Sequence, residues 1–256
     1  RPQDITPTYD QTIEKIMRDA SGPMSAQELA EKILAARPSN AKDPMKNALN
    51  KLREAIGREL IFLDPDTVLP LRSAWLGARF RWQLERGQEN RGFFEVANVL
   101  SYYLPRGFNL AKLRFVDADG QAIEFQLKTV TEKVKSVFGT YDNVTRHAGL
   151  SGWLRKNKFY RKDYLLFTIM DWENGVIKLE REQYGHRDEK LQASRNRLLA
   201  DILFEMLENA SRESIFIHES LPTAYARLPE KDGYPPDHWM VIVMNDERMT
   251  TNGRDI

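Results

Sequence analysis

At 256 residues the chain is long enough to bury one large core or two to three small ones without disulfides or metals. Its 41% hydrophobic and 29% charged residues exclude an intrinsically disordered protein, and the absence of cysteine excludes disulfides, zinc-thiolate sites and thiol nucleophiles. The net charge of +1 hides an asymmetry: residues 86–182 carry 16 basic against 12 acidic side chains, and residues 183–256 carry 9 against 13.

From residue 8, TYDQTIEKIMRDAS puts Tyr9, Ile13, Ile16 and Met17 on one helical stripe, and Gly22-Pro23 ends it. A second helix opens at SAQE, where Ser25 and Glu28 have capping-box spacing. A third starts with Asp43 as N-cap and Pro44 at the first helical position, and Gly57 supplies its stop. LIFLDPDTVLPL then reads as a hairpin around Asp64 to Thr67. In the third helix Met45, Ala48, Leu49, Leu52, Ala55 and Ile56 recur at the helical period, leaving Lys46, Asn47, Asn50, Lys51 and Arg53 outward. These side chains suit phosphates and base edges, although any solvated helix face carries such residues. The order helix, helix, helix, hairpin, with PMSAQELAEKIL, DPMKNALNKLREAIGRELIFLDPDTVLPL and SAW, resembles the HARE-type winged helix-turn-helix over about residues 5–76. The resemblance implies a DNA-associated or transcription-associated setting and supplies no catalytic residues.

After the polar joint RFRWQLERGQENRG the pattern turns to strands. A short strand at FFE precedes helical spacing of Val96, Val99, Leu100 and Tyr103. Leu113/Phe115 and Ile123/Phe125/Leu127 form two alternating strands joined by a turn at Asp117 to Gly120. TEKVKSVFGTYDNV continues as a polar strand or arm, LSGWLRKNKF reads as a short helix, and DYLLFTIMDW and VIKLERE are strands around Glu173-Asn174-Gly175. Short strands with small helices at their ends indicate a compact barrel-like β domain. Residues 128–162 hold nine basic residues against Glu132 and Asp142, an electrostatic footprint for phosphate or else a solvated basic surface with no partner.

VANVLSYYLPRGF, LRFVDADGQAIEFQL and LSGWLRKNKFYRKDYLLFTI give this segment, about 92–182, a resemblance to the plant-type DNA-binding pseudobarrels, the "B-three" domains, and their bacterial relatives in restriction endonucleases. Lys162 departs from the family's usual Gly before Asp163. The resemblance implies two arms on duplex DNA. The first lies around Asn98, Ser101, Tyr102 and Arg106. The second carries Lys128, Thr131, Lys133, Lys135, Ser136, Tyr141, Asn143 and Arg146. Within LSGWLRKNKFYRKDYLLF, Trp153, Leu154, Phe159, Leu165 and Phe167 are expected as core.

DEKLQASRNRLLADILFEMLENAS places Leu191, Leu198, Leu199, Ile202, Leu203, Met206 and Leu207 on one side of an amphipathic helix. YPPDHWMVIVMND is expected to give a strand; its six apolar residues WMVIVM are the longest apolar run, against the ~20 a membrane span needs, so no membrane partner is expected. This segment suits packing or a homodimer face. His147, His186, His218 and His238 lack metal-ligand spacing. Asp117 or Asp119 with Gln126 and Lys128 is a degenerate match to a magnesium-dependent nuclease, already accounted for as hairpin and strand.

The expected fold is therefore α+β, with a winged helix (1–83), an open pseudobarrel with short helices (84–184) and a C-terminal helix-plus-strand segment (185–256). The expected function is sequence-specific or structure-specific binding of double-stranded DNA by a prokaryotic transcription or genome-defence regulator, cytoplasmic and nucleoid-associated. No enzymatic activity, metal or cofactor is expected. The alternatives are the DNA-recognition component of a restriction-modification nuclease and a protein-interaction adaptor that does not touch DNA.

Overall fold

The structure is a computed structural model and describes residues 7–84, 88, 92–136 and 139–256. The side chain of Ser136 lies outside the described residues, as do 85–87 and 89–91 of the polar joint expected at 79–92; the start of that joint, Arg79–Gln83, is instead a sheet strand that buries Phe80. The chain is mixed α and β and divides into two compact units. One comprises the chain up to Leu76 with Ile202–Pro229 and Thr251–Ile256; the other comprises Gly77–Asp201 and Glu230–Thr250.

In the first unit, α1 (Tyr9–Asp19) starts where Thr8 Oγ1 accepts from the Gln11 amide and Gln11 returns its side chain to the Thr8 N–H. Strand β1 (Met24–Ser25) leads into α2 (Ala26–Ala36), where Ser25 Oγ caps the Glu28 N–H at 3.0 Å. The reciprocal half of the box expected there is replaced by an ion pair, because the exposed Glu28 carboxylate meets Lys32 Nζ one turn on at 2.7 Å. Helix α3 (Pro44–Glu54) begins with Asp43 accepting from the Lys46 amide, and β2 (Leu60–Asp64) and β3 (Thr67–Pro70) follow. Asp64 Oδ1 takes the Asp66 and Thr67 amides at 2.9 Å and closes the hairpin, which with β1 forms a sheet in the order β1-β3-β2. Ile13, Met17, Leu29, Ile33, Ala48 and Leu52 interdigitate as the core, with Met45, Leu49 and Ile56 against its margin. Helix α4 (Leu71–Trp75) packs on the later helix Ile217–Arg227, with the rings of Trp75 and Tyr225 5.5 Å apart.

The second unit contains β4 (Arg79–Gln83), β5 (Phe93–Glu95), α5 (Val96–Leu100), β6 (Arg114–Val116), β7 (Ala122–Ile123), β8 (Gln126–Ser136), β9 (Gly139–Gly149), α6 (Ser151–Lys156), β10 (Tyr164–Asp171) and β11 (Val176–Glu182). One sheet runs β4-β10-β11-β6-β7, with only the β11–β6 pairing parallel; a second runs β5-β9-β8. Neither sheet closes into a hydrogen-bonded barrel among the described residues. Their shared core is aromatic. Phe80 stacks on Tyr103 at 3.8 Å and on Phe167 at 4.8 Å, and Phe94 from the second sheet meets Phe167 edge-on at 5.8 Å. Trp153, Leu154, Leu165 and Phe167 are buried as expected, whereas Phe159 is only half-buried.

Three further sequence expectations need correction. The strand expected through Ile123, Phe125 and Leu127 is divided between the sheets: β7 pairs with β6 through Phe115 and Ile123, and the chain then switches to β8. Phe125 marks the switch, its ring 4.8 Å from that of Phe115. In α7 (Glu189–Glu208) the expected apolar stripe holds at Leu199, Ile202 and Leu203, but Leu191 is 43% exposed. Arg195 is buried one turn further on, its Nε donating to Tyr234 O at 3.0 Å. Finally, the expected C-terminal strand at WMVIVM is a helix. After α8 (Ile217–Arg227), α9 (Trp239–Met244) buries Trp239, Ile242 and Val243 and exposes Val241 and Met244. Burial at positions i, i+3 and i+4 needs helical geometry, and a uniformly apolar run carries no period of its own to announce it.

Candidate nucleic-acid interface

Strands β8 and β9 are 11 residues each, paired in continuous antiparallel register from Gln126↔Gly149 to Ser136↔Gly139. At ~3.3 Å per residue such a ribbon is roughly 35 Å long. Among the described residues, strand β5 flanks β9 only at the base, from Phe93↔Gly149 to Glu95↔His147, and β8 has β9 on one side alone. A long edge of this kind invites pairing with other strands unless charge blunts it or a partner uses it.

Directly opposed residues of an antiparallel pair share a face, so the register sorts the expected contacts. Lys128, Tyr141 and Asn143 lie on one face with Val130, Glu132, Val134, Thr145 and His147. Thr131, Lys133, Lys135 and Arg146 lie on the other with Thr129, Thr140, Asp142 and Val144. The two faces differ in cover. From Thr129 to Arg146 every position on the Arg146 face is exposed, Val144 by 60%; on the Lys128 face Val130, Val134, Thr145 and His147 are half-buried. Thr129 and Thr140 join the Arg146 face unannounced by any motif. Alternation at period two would have found them once the tip of the hairpin was known.

The base anchors each face differently. On the Arg146 side the ribbon runs into the core through Ala148, opposite Phe94, both fully buried. On the Lys128 side Phe93 meets His147 edge-on at 4.9 Å, and Thr145 Oγ1 lies 2.8 Å from His147 Nε2. There a concavity of about 770 Å³ is lined by Phe93, Gln126, Lys128, Trp153, Arg155 and Lys156 among others. The helix α6 thus brings Arg155 and Lys156 beside Lys128, a grouping their separation in sequence does not display.

The first arm is less available. Asn98 Nδ2 donates to Glu95 Oε2 at 2.9 Å, and the half-buried Tyr102 packs edge-on against Trp239 at 5.1 Å. Ser101 is half-buried in the 3-10 turn Ser101–Tyr103, and Arg106 is exposed. In the first unit, Asn47 donates to Tyr9 Oη at 3.2 Å and Lys51 pairs with Glu54 at 2.6 Å, leaving Lys46, Asn50 and Arg53 as the exposed members of the α3 set.

The residues of the degenerate nuclease pattern have local structural work. Asp117 Oδ1 accepts from the Asp119 and Gln121 amides and shapes the β6–β7 turn. Among the described residues no group of three or more His, Asp or Glu side chains is placed to hold a metal, and no helix is long and apolar enough to cross a membrane. His238 is fully buried among Phe80, Trp82 and Tyr103, and burial pushes its imidazole down to about 3. Its Nδ1 caps the Met240 amide at the start of α9. Comparison with protein families, curated proteins and solved structures finds no match to this chain.

Proposed function

We propose that this chain binds double-stranded DNA without cutting it, as a transcription or genome-defence regulator, with the β8–β9 ribbon as the principal contact. In this reading the helices and hairpin of the first unit are a HARE-type winged helix, and the two open sheets of the second are a B-three-like pseudobarrel. The observation that carries the reading is the exposed Arg146 face, which gathers Lys133, Lys135 and Arg146 with Thr129, Thr131 and Thr140, against a single acid, Asp142. Cationic side chains neutralise phosphates, hydroxyls donate to them, and Arg reads the guanine edge bidentately. A two-stranded ribbon also matches the major groove, about 12 Å wide and about 8.5 Å deep. Lys128, Arg155 and Lys156 at the base add charge where the flanking backbone would pass.

The test is fluorescence anisotropy with labelled duplex DNA over a salt series. If the ribbon neutralises about four phosphates, affinity falls on the order of 10²-fold between about 50 and 200 mM salt. Binding absent at low salt, or insensitive to salt, overturns the proposal. Magnesium added to the same mixtures leaves the DNA intact; nicking would assign the chain to the nuclease reading instead.

A further inference from the structure

The outer edge of β8 has no strand beside it over 11 residues among the described ones; the strand pairs with β9 alone, contains no proline and shows no shift of register. Proline and bulges are two of the devices that keep such an edge from other strands, and charged side chains, Lys above all, are a third. Charge is the device present here, in Lys128, Glu132, Lys133 and Lys135, and its order along the strand is selective. Lys128 and Glu132 are exposed on one face with Val130 midway between them, while Lys133 and Lys135 leave the other face.

When two copies of one strand pair antiparallel about a two-fold axis, residues equally far from the axis oppose each other, and opposed side chains share a face. An axis through Val130 sets Lys128 opposite Glu132 twice, Thr129 opposite Thr131 twice and Val130 opposite itself. Opposite charges and paired Thr are among the cross-strand pairs that stabilise a sheet. No other two-fold register within β8 puts a Lys opposite Glu132, because Lys133 and Lys135 are on the wrong face. An axis at Glu132 opposes two acids, and one at Lys133 or Val134 opposes lysines. The stretch Lys128-Thr129-Val130-Thr131-Glu132 is thus its own complement, which favours a second copy over an unrelated strand.

We propose that β8 pairs edge to edge with β8 of a second copy of this chain, with Val130 on the two-fold axis and Lys128 opposite Glu132. Main-chain hydrogen bonds hold the pair, and the charges fix its register and reject other strands. The two ribbons then form a four-stranded sheet whose outer strands are about 14 Å apart, at ~4.8 Å per step. That exceeds the major groove, about 12 Å wide, so a paired ribbon does not enter it and duplex DNA competes with the second copy. The competition rests on the DNA reading; the pairing does not.

The chain has no cysteine, so a single introduced cysteine cross-links only to its counterpart in another copy. Directly opposed residues of an antiparallel pair have Cα atoms about 4.5–5.5 Å apart, within the ~4.4–6.8 Å that a disulfide spans. With oxidised glutathione in dilute solution, full-length Val130→Cys forms a covalent dimer. Val134→Cys, on the same face and also half-buried, lies about 27 Å from its counterpart in this register and does not. In the Val130→Cys background, Lys128→Glu and Glu132→Lys each oppose like charges and cross-link on the order of tenfold less. An equimolar mixture of the two recovers, because their charges are complementary; the recovery excludes misfolding as the cause of the loss. No covalent dimer from Val130→Cys, equal cross-linking by Val134→Cys, or no recovery in the mixture overturns the pairing. Saturating duplex DNA suppresses the cross-link; an undiminished cross-link in DNA-bound chain overturns the competition. A chain that binds no DNA sinks the DNA reading and leaves the DNA-free result standing.

Discussion

Arg181 donates from Nε to Asp163 Oδ2 at 2.7 Å, and the same carboxylate, 2% exposed, collects the Tyr160 amide at 2.8 Å and the Tyr184 amide at 2.9 Å. One side chain therefore holds the loop before β10, the strand β11 and the turn after it. The basic residues around it, Arg161 and Lys162, are exposed, so the landmark value of this stretch lies in its single acid. Asp163→Ala leaves a largely buried guanidinium without its carboxylate, holding only the Asn157 carbonyl, and two amides unpaired, and is expected to lower stability by about 3–5 kcal/mol. Asp163→Asn, which keeps one acceptor, should lose less. Urea unfolding ranks the two; equal stability of Asp163→Ala and the wild type would contradict the assignment.

The two faces of the ribbon predict separable effects on DNA binding. Lys133→Ala, Lys135→Ala and Arg146→Ala together remove three cations from the exposed face, and the slope of log affinity against log salt should become shallower by about 3. Tyr141→Ala with Asn143→Ala alters the opposite face and should leave that slope unchanged. The reverse pattern in anisotropy titrations would move the phosphate contacts to the Lys128 face.

His238 predicts an acid-sensitive second unit. In the unfolded chain its imidazole takes up a proton near 6.5; in the folded chain burial delays this to about 3. Below 6.5 the unfolded state therefore binds more protons, so stability falls as pH falls toward 3, by up to ~1.4 kcal/mol per pH unit, and this contribution is constant above 6.5. His238→Asn retains an acceptor for the Met240 amide and should be less stable at neutral pH but flatter in the acid limb. Urea midpoints across this range decide it; parallel limbs for the two proteins would contradict the titration.

A backbone position in the first unit gives a control on packing. Gly57 has φ +72°, and a Cβ there would lie 2.6 Å from Glu219 Cγ. Gly77 has a similar φ of +78° with no atom within 4 Å of such a Cβ. Gly77→Ala should lose about 1–2 kcal/mol from the left-handed backbone alone, and Gly57→Ala more, by the displacement of Glu219. Equal losses in thermal unfolding would mean that the close approach costs nothing.

What the chain declared by itself is local. Thr8, Ser25 and Asp43 start helices because a side-chain oxygen reaches an amide three residues on, and Asp64 and Asp117 shape turns by bonds within four residues. Such bonds need no distant partner, so their pattern survives in one dimension. The tertiary structure decided which surfaces are covered. It made WMVIVM a helix, moved residues 122–127 between two sheets, and buried Arg195 while leaving Leu191 in solvent. It also divided the basic arm into two faces and enclosed Arg81 between carboxylates far along the chain. These outcomes depend on which side of an element meets a neighbour, and burial is a property of the neighbours as much as of the residue.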